Sequence, residues 1–528
     1  MTMLMAGGAK YAAVCLIQKE LKERIAELEQ AEAQGGTVIA FRESRRKNVL
    51  QLIVKGTAGT GKTYVIHATQ KVALELLGDD AFKRIAILAP TGTAAHNIGG
   101  VTEHSFLGLP LGHELVDLTG KRLDTVSENC KHLWMIIFDE RSMIGARQLS
   151  FIDARLKQCT GRNHTAFGGV SLIMFGDDGQ LPPIGDRAVW KDADLADFKG
   201  LHDQDGNRLY RKYFKDVVSL KTPFRQIEND PFYAMLLRAR EGELKEHEEE
   251  TQLLATRKWQ EVSVEERKLF EDTALHLSPF REDVWEHNIQ KLDALGKPII
   301  KIEAIHNNKV AAAADSGDVS LKKQLYIAEG SRVMLTVNLW TEAGLVNGTM
   351  GEVVGYHFDP RRGNSAGGSP RAIFVKCPTY KGPRFPGFPE TEEWRHVLPI
   401  TRYTIPFVKS GTSCTREQFP LTLAWAVTIH KSQGMTIGPG KPWERMLLDL
   451  GRNELSTGAT FVALSRAKSL DCILFPPGKF PTLERLALCK TDSMPFRKKE
   501  DALLDGLSRK TAHKNADLIR AGIDVHVP

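Results

Sequence analysis

The run Gly56-Thr57-Ala58-Gly59-Thr60-Gly61-Lys62-Thr63 constrains this chain more than any other feature. It follows an apolar stretch predicted as a strand over 49–55 and precedes a stretch predicted as a helix over 64–77. A glycine-rich turn between a strand and a helix is the phosphate-binding loop of an α/β domain, and a chance turn would rarely have both flanks right. The glycines let backbone N–H groups wrap phosphates, and the helix N-terminus adds a favourable field. Lys62 is placed to reach the β- and γ-phosphates and the Thr63 hydroxyl to ligand Mg²⁺. The expected cofactors are therefore ATP and Mg²⁺.

Further apolar runs recur along the chain, and their ends are polar. Residues 84–88 end at Ala89-Pro90, residues 134–138 at Asp139-Glu140, and residues 170–175 at Gly176-Asp177. Alternation of such strands with helices predicts a doubly wound α/β domain with its ligand at the carboxyl ends of the strands. Asp139 is then the expected Mg²⁺ ligand, directly or through water, and Glu140 the group that orients and deprotonates the attacking water. Gln180, Arg225 and Arg466 are candidates to sense and neutralise the γ-phosphate. A second α/β pattern runs over 276–288 and resumes at Leu421. Between its halves, residues 331–420 hold short β-like runs broken by Gly and Pro and read as a small inserted β module. Residues 16–33 read as a helix, and the chain from about 490 onward as a charged, partly disordered tail.

Length and composition set bounds. At ~150 residues per domain, 528 residues make roughly three to four domains. No stretch of about 18 apolar residues is present, so no membrane span is expected. The net charge of +6 suits a polyanionic partner without requiring one. Seven scattered cysteines lack the spacing of a zinc site or redox pair and read as the reduced thiols of an intracellular protein. Residues 1–19 are poor in Arg and Ser for a mitochondrial presequence. Arg45 to Lys47 and Arg497 to Lys499 read as nuclear signals or as solvated surface.

The ordered set of blocks resembles the PIF-type DNA helicases of superfamily 1B, relatives of the RecD and Dda helicases. After the loop at 56–63 come Ala89-Pro90-Thr91-Gly92-Thr93-Ala94-Ala95, Thr102-Glu103-His104-Ser105-Phe106, Phe138-Asp139-Glu140 with Ser142-Met143, Gly176 to Pro183, and Phe224-Arg225-Gln226. The second half carries Gly344 to Thr349, Gln418 to Ala426, the highly specific Thr428-Ile429-His430-Lys431-Ser432-Gln433-Gly434, and Phe461 to Lys468. The resemblance implies an α/β fold of two RecA-like P-loop NTPase domains in tandem, with a small SH3-like β module inserted in the second. The implied boundaries are an N-terminal helical segment at 1–45, a first domain at 46–225 with a short wedge at about 107–132, a second domain at 226–330 and 421–475, the module at 331–420 and a tail at 476–528. ATP would lie in the cleft between the domains, with Arg225 near the junction, Arg466 supplied by the second domain and Gly434 near the γ-phosphate. Thr91, His104, Ser105 and Phe106 would line a single strand in the first domain, and Thr428, His430 and Lys431 in the second.

The activity implied is that of an ATP-dependent 5′→3′ DNA helicase that translocates on single-stranded DNA and opens forked DNA, in repair, recombination or telomere maintenance. A monomeric, intracellular motor without membrane contact is expected, nuclear or mitochondrial in a eukaryote and otherwise cytoplasmic. Plainer readings stand beside several residues. Phe106 and Trp425 also suit a core, and His104 an ordinary loop histidine. Two residues depart from the family pattern: Arg141 after the acidic pair, and Asp178 after Gly176-Asp177. Their opposite charge and neighbouring strand-end positions predict that they pair. If they do not, they point to a catalytically impaired, nucleic-acid-binding relative. A third reading is a P-loop ATPase acting on another substrate, which the second-half blocks oppose. The family's adenine-reading glutamine falls on Gln18 or Gln51.

Overall fold

Six short strands, most of them continuous apolar runs, build the first sheet: β1 (Gln51–Gly56), β2 (Ile85–Ala89), β3 (Val101–Thr102), β4 (Met135–Phe138), β5 (Ser171–Gly176) and β6 (Asp216–Leu220). The structure, a computed structural model, describes residues 8–33, 49–110, 112, 114–191, 201–227, 230–246, 248–314, 319–358, 369–409 and 412–521. The strands lie in the order β3-β2-β4-β5-β1-β6, all parallel. Every residue of β4 and β5 is buried, as a parallel sheet covered on both faces requires.

Helices cover the two faces. They are α1 (Ala9–Ala33), α2 (Lys62–Leu77), α3 (Gly120–Cys130), α4 (Ala146–Thr160), α5 (Leu201–Tyr213), α6 (Pro231–Glu241) and α7 (Met494–Lys514). One core joins Val14, Ile17 and Leu21 of α1 and Val65 and Val72 of α2 to Leu52 and Val54 of β1. The other joins Leu149, Ile152 and Leu156 of α4, Tyr210 of α5, Phe214 just after it and Leu504 of α7 to Ile53 and Leu172. Alternate residues of β1 therefore serve opposite cores, which fixes its register. Helix α1 begins at Ala9, seven residues before the expected start, because Ala13 and Val14 continue its buried stripe.

The segment read as a tail is a correction. Helix α7 lies along β6, the edge of the sheet. Val217 N–H donates to Thr511 Oγ1 (3.0 Å), Ser219 N–H donates to Ser508 Oγ (3.2 Å), and Ser219 Oγ donates to Asp505 Oδ1 (3.2 Å). Side chains of a helix thus take up edge N–H groups that would otherwise pair with a further strand. Arg497 is 1 % exposed and donates to the Arg240 carbonyl, so it is not solvated surface, whereas Lys499 of the same run is exposed. The other basic run, 45–47, lies outside the described residues.

The chain divides into two compact units. One comprises Met1–Thr251, Glu454–Ser465 and Leu483–Pro528, the other Gln252–Asn453 and Arg466–Thr482. Residues 226–251, expected with the second domain, belong to the first unit because α6 anchors there through an Arg240–Asp177 ion pair of 2.8 Å. Residues 454–465 and 483–521 also return to it.

The second unit holds a four-stranded parallel sheet in the order Ala426–Thr428, Leu275–Ser278, Met446–Leu448, Ile473–Leu474, with helix Arg281–Asp293 following the strand Leu275–Ser278. Between the halves of this α/β part runs an antiparallel five-stranded sheet: Val397–Thr401, Ala372–Lys376, Met350–His357, Arg332–Leu335 and Leu421–Leu423. A three-stranded sheet of Tyr403–Lys409, Thr412–Gln418 and Ile305–His306 accompanies it. Trp425 is buried in the core of this part. Among the described residues no helix is long and apolar enough to cross a membrane.

Candidate active site

The loop 57–61 leaves β1 and enters α2 directly. Gly59 has φ +83°, and a Cβ there would stand 2.6 Å from Arg225 Cβ. Phe224 N–H donates to Gly59 O (2.8 Å), so the segment carrying Arg225 is laced to the loop. Thr60 Oγ1 latches the turn by donating to Thr57 O (2.9 Å). Lys62 Nζ donates to Gly56 O (2.8 Å) and Thr57 O (3.0 Å), the two carbonyls it would exchange for phosphate oxygens. Thr63 is exposed on the first turn of α2.

Asp139 and Glu140 stand at the carboxyl end of β4, as read from the sequence. Burial and the Glu140 charge push the Asp139 carboxyl up to about 7, against the pull of Lys62. Asp139 Oδ1 is buried with no hydrogen-bond partner among the described residues. A divalent cation would relieve both conditions, so the donor set of Asp139 and Thr63 fits Mg²⁺. Glu140 adopts φ 54° and ψ 48°, a left-handed conformation costing roughly 1–3 kcal/mol in a non-glycine residue. It lets the chain turn at once into the short turn Arg141–Met143.

Burial lowers the Lys62 ammonium's pKa, Asp177, Glu140 and Asp139 raise it, and Arg225 lowers it further. Burial also lowers Arg225, while Glu140 raises it. Arg225 Nη1 donates to Ser465 O (2.9 Å). These groups therefore share one electrostatic neighbourhood at the ends of β1, β4 and β5. Gln180 belongs to the turn after β5: its N–H donates to Asp177 O (3.0 Å), and its Oε1 is buried with no hydrogen-bond partner among the described residues. Gly434 and Arg466 lie in the second unit, where Arg466 Nη1 donates to Met435 O (3.3 Å).

The predicted Arg141–Asp178 pair forms. The two side chains are fully buried and joined by an ion pair. Gln51, one candidate for reading adenine, is spent within the sheet: its Nε2 donates to Val170 O (3.1 Å) and its Oε1 accepts from Leu172 N–H (3.1 Å). The other, Gln18, is buried on α1. A residue the sequence did not single out, Lys10, sits beside the phosphate loop instead. Its Nζ lies 3.2 Å from the Phe224 ring centroid and 2.6 Å from where a Gly61 Cβ would be. A lone lysine at a helix start gives no signal for this.

The proposed strand-lining residues of the first unit follow β2 and β3. Thr91 Oγ1 accepts from Ala94 N–H (3.2 Å) and caps helix Gly92–Asn97. His104, Ser105 and Phe106 lie on helix Glu103–Leu107. His104 Nδ1 is 3.3 Å from the buried Glu103 Oε1, and Phe106 packs against the core. Asn129 on α3 donates to Phe106 O (3.1 Å), tying the expected wedge to this helix. In the second unit Thr428, His430 and Lys431 share one turn. Burial, with Lys322 and Arg281 nearby, pushes the Lys431 ammonium down to about 8. Burial and Arg281 also lower His430. Arg281 and Lys322 thus act on Lys431, and both escaped the sequence because neither stands in the motif.

Residues 34–250 match the family model described as PIF1-like helicase. The ATP-dependent DNA helicase PIF1 of Danio rerio is 32 % identical over 423 residues, which cover 79 % of this chain and 57 % of that protein. A solved structure of Pif1 helicases at forked double-stranded DNA aligns at 25 % identity and a TM-score of 0.62 over 89 % of this chain and 97 % of that one. The chain is thus similar to the PIF1-like helicases. The fold is accordingly that of two RecA-like α/β domains. A Bacteroides Pif1 helicase, solved with ADP-AlF3 and single-stranded DNA, shares that fold at 24 % identity and a TM-score of 0.62, over 88 % of this chain and 95 % of that one. This PIF1-like chain spans a little over half the length of the curated relative from Danio rerio.

Proposed function

We propose that the chain is an ATP-dependent DNA helicase, in which ATP hydrolysis drives 5′→3′ translocation on single-stranded DNA and the opening of forked duplex. The observation that carries the reading is the convergence of Lys62, Asp139, Glu140 and Arg225 around one phosphate loop. Gly56 to Thr63 would bind the triphosphate through backbone N–H groups and the Lys62 ammonium. Mg²⁺ held by Asp139 and Thr63 would offset the phosphate charge. Glu140 would take the proton of the attacking water. Gln180, Arg225 and Arg466 would meet the γ-phosphate, with Gly434 beside it.

Thr91, His104, Ser105 and Phe106 in one unit, and Thr428, His430 and Lys431 in the other, would hold the strand. The cluster of Arg281, Lys322 and Lys431 supports a phosphate-backbone contact. We take residues 331–420 as the family's SH3-like module, α3 as the wedge, and the motor as a monomer acting on cellular DNA in repair, recombination or telomere upkeep.

The impaired-relative reading rested on stray charge beside the Mg²⁺ site. Arg141 and Asp178 neutralise each other, so that argument lapses. ATP hydrolysis measured with and without single-stranded DNA tests the proposal. Stimulation by DNA that Glu140→Gln loses supports it. No hydrolysis in either condition refutes it, and hydrolysis indifferent to DNA moves the chain to another substrate.

A further inference from the structure

Two chains of charge run from α7 to the carboxylates that follow β5. In the first, Asp178 pairs with Arg141, the residue after Glu140. Arg141 Nη1 donates to Tyr210 Oη (2.9 Å) on α5, and Tyr210 Oη donates to Glu500 Oε1 (2.7 Å) on α7. Arg211 Nη1 holds the other Glu500 oxygen (2.6 Å). In the second, Asp177 Oδ1 accepts from Arg240 Nε (3.0 Å) and Nη2 (2.8 Å) on α6. Arg240 Nη2 lies 2.9 Å from Asp501 Oδ2, and Lys55 Nζ donates to Asp501 Oδ1 (3.2 Å). Lys55 immediately precedes Gly56 of the phosphate loop.

The turn between these anchors is shaped to them. Gly179 N–H donates to Asp177 Oδ1 (2.9 Å), and a Cβ on Gly179 would fall 2.4 Å from Arg240 Nε. The turn 177–180, which carries Gln180, is thus moulded onto a guanidinium that α7 helps to hold. Asp178, Arg141 and Glu500 are almost wholly buried. Charges in such surroundings have no water to replace a lost partner, so removing one moves the others.

We propose that Glu500 and Asp501 are positioning residues of the ATPase step: acting through Arg141 and Arg240, they fix the turn that presents Gln180 and the strand end that presents Asp139 and Glu140. The proposal rests on the ATPase reading above. Glu500→Gln and Asp501→Asn should each lower kcat about tenfold while leaving the KM for ATP within about twofold, because the groups displaced act on the transition state rather than on binding. Tyr210→Phe removes only the bridging hydroxyl and keeps the ring stacked on Phe214, so it should lower kcat in the same way. Lys510→Ala, on the exposed face of α7, is the control and should change nothing.

The second readout does not need turnover. Affinity for Mg²⁺-ADP with aluminium fluoride should fall about tenfold in the variants, and affinity for Mg²⁺-ADP should not. Variants that melt earlier but keep the wild-type kcat and fluoride-complex affinity overturn the proposal and leave α7 a brace. If Glu500→Gln does not fold, Tyr210→Phe decides alone. A wild-type chain without hydrolysis refutes the function proposed above, and the ratio of the two affinities still judges the positioning role.

Discussion

Arg141 and Asp178 show how far single residues could be read from the chain. Their pairing followed from opposite charge at two strand ends that a parallel sheet must place side by side. Tyr210 and Glu500, which complete the same network, were not legible, because their partners are brought together only by tertiary packing. Breaking the pair tests its weight. Arg141→Ala strands Asp178 as a buried charge and should cost the first unit about 3–5 kcal/mol, whereas Arg141→Met with Asp178→Leu should recover most of that loss. Urea denaturation followed by tryptophan fluorescence reads both, and a single variant as stable as the wild type would show that the charges are already hydrated. At the phosphate loop, Lys62→Ala should abolish ATP turnover without unfolding. Glu140→Gln should bind nucleotide normally and hydrolyse it about 10²–10⁴ times more slowly. Substantial turnover in either variant would remove that residue from the site.

At the scale of elements, β1, β2, β4 and β5 were legible to within a few residues, since each is a short apolar run with polar punctuation; β3, two residues long, and the edge strand β6 were not. Helix α7 was not. Arg497, Glu500 and Asp501 look like a solvated charged segment in one dimension; the first two are buried and the third partly so only because their counter-charges sit on α5, α6 and β1. Another pair of elements carries a pH dependence. His276, on strand Leu275–Ser278, and His287, on helix Arg281–Asp293, have ring centroids 4.4 Å apart. Burial pushes His276 down to about 4, with Lys479 and Lys291 adding to the shift. Burial and then His276 push His287 down to about 3. Both values lie below the usual 6.5, so the unfolded chain binds protons that the folded one refuses. The second unit should hold its full stability above about pH 6.5 and lose it as pH falls through about 4, at up to about 1.4 kcal/mol per pH unit for each proton taken up. His276→Leu with His287→Phe should flatten that slope in denaturation curves between pH 4 and 7, and an unchanged slope would place the acid sensitivity elsewhere.

Across the whole molecule, the tandem α/β plan was legible from the order of its motifs, whereas the return of residues 454–465 and 483–521 to the first unit was not, because no motif marks it. A net charge of +6 is modest for the DNA motor proposed above, whose affinity would then come from local clusters rather than from overall charge. Single-strand affinity should fall linearly on logarithmic axes as salt rises, and Lys431→Ala and Lys322→Ala should each reduce the slope by about one. A flat salt response, or unaltered slopes, would detach this cluster from the strand. The return of the chain to its first unit also has a cost in time. Val217 and Ser219 find their partners on α7 only after residues 221–493 have been made. At ~5–20 residues per second, a ribosome needs roughly a quarter of a minute to a minute for that stretch. Throughout that interval β6 is an open edge on a nascent sheet. A holding chaperone, or slowed translation near residue 250, would bear directly on how much of this protein a cell recovers in native form.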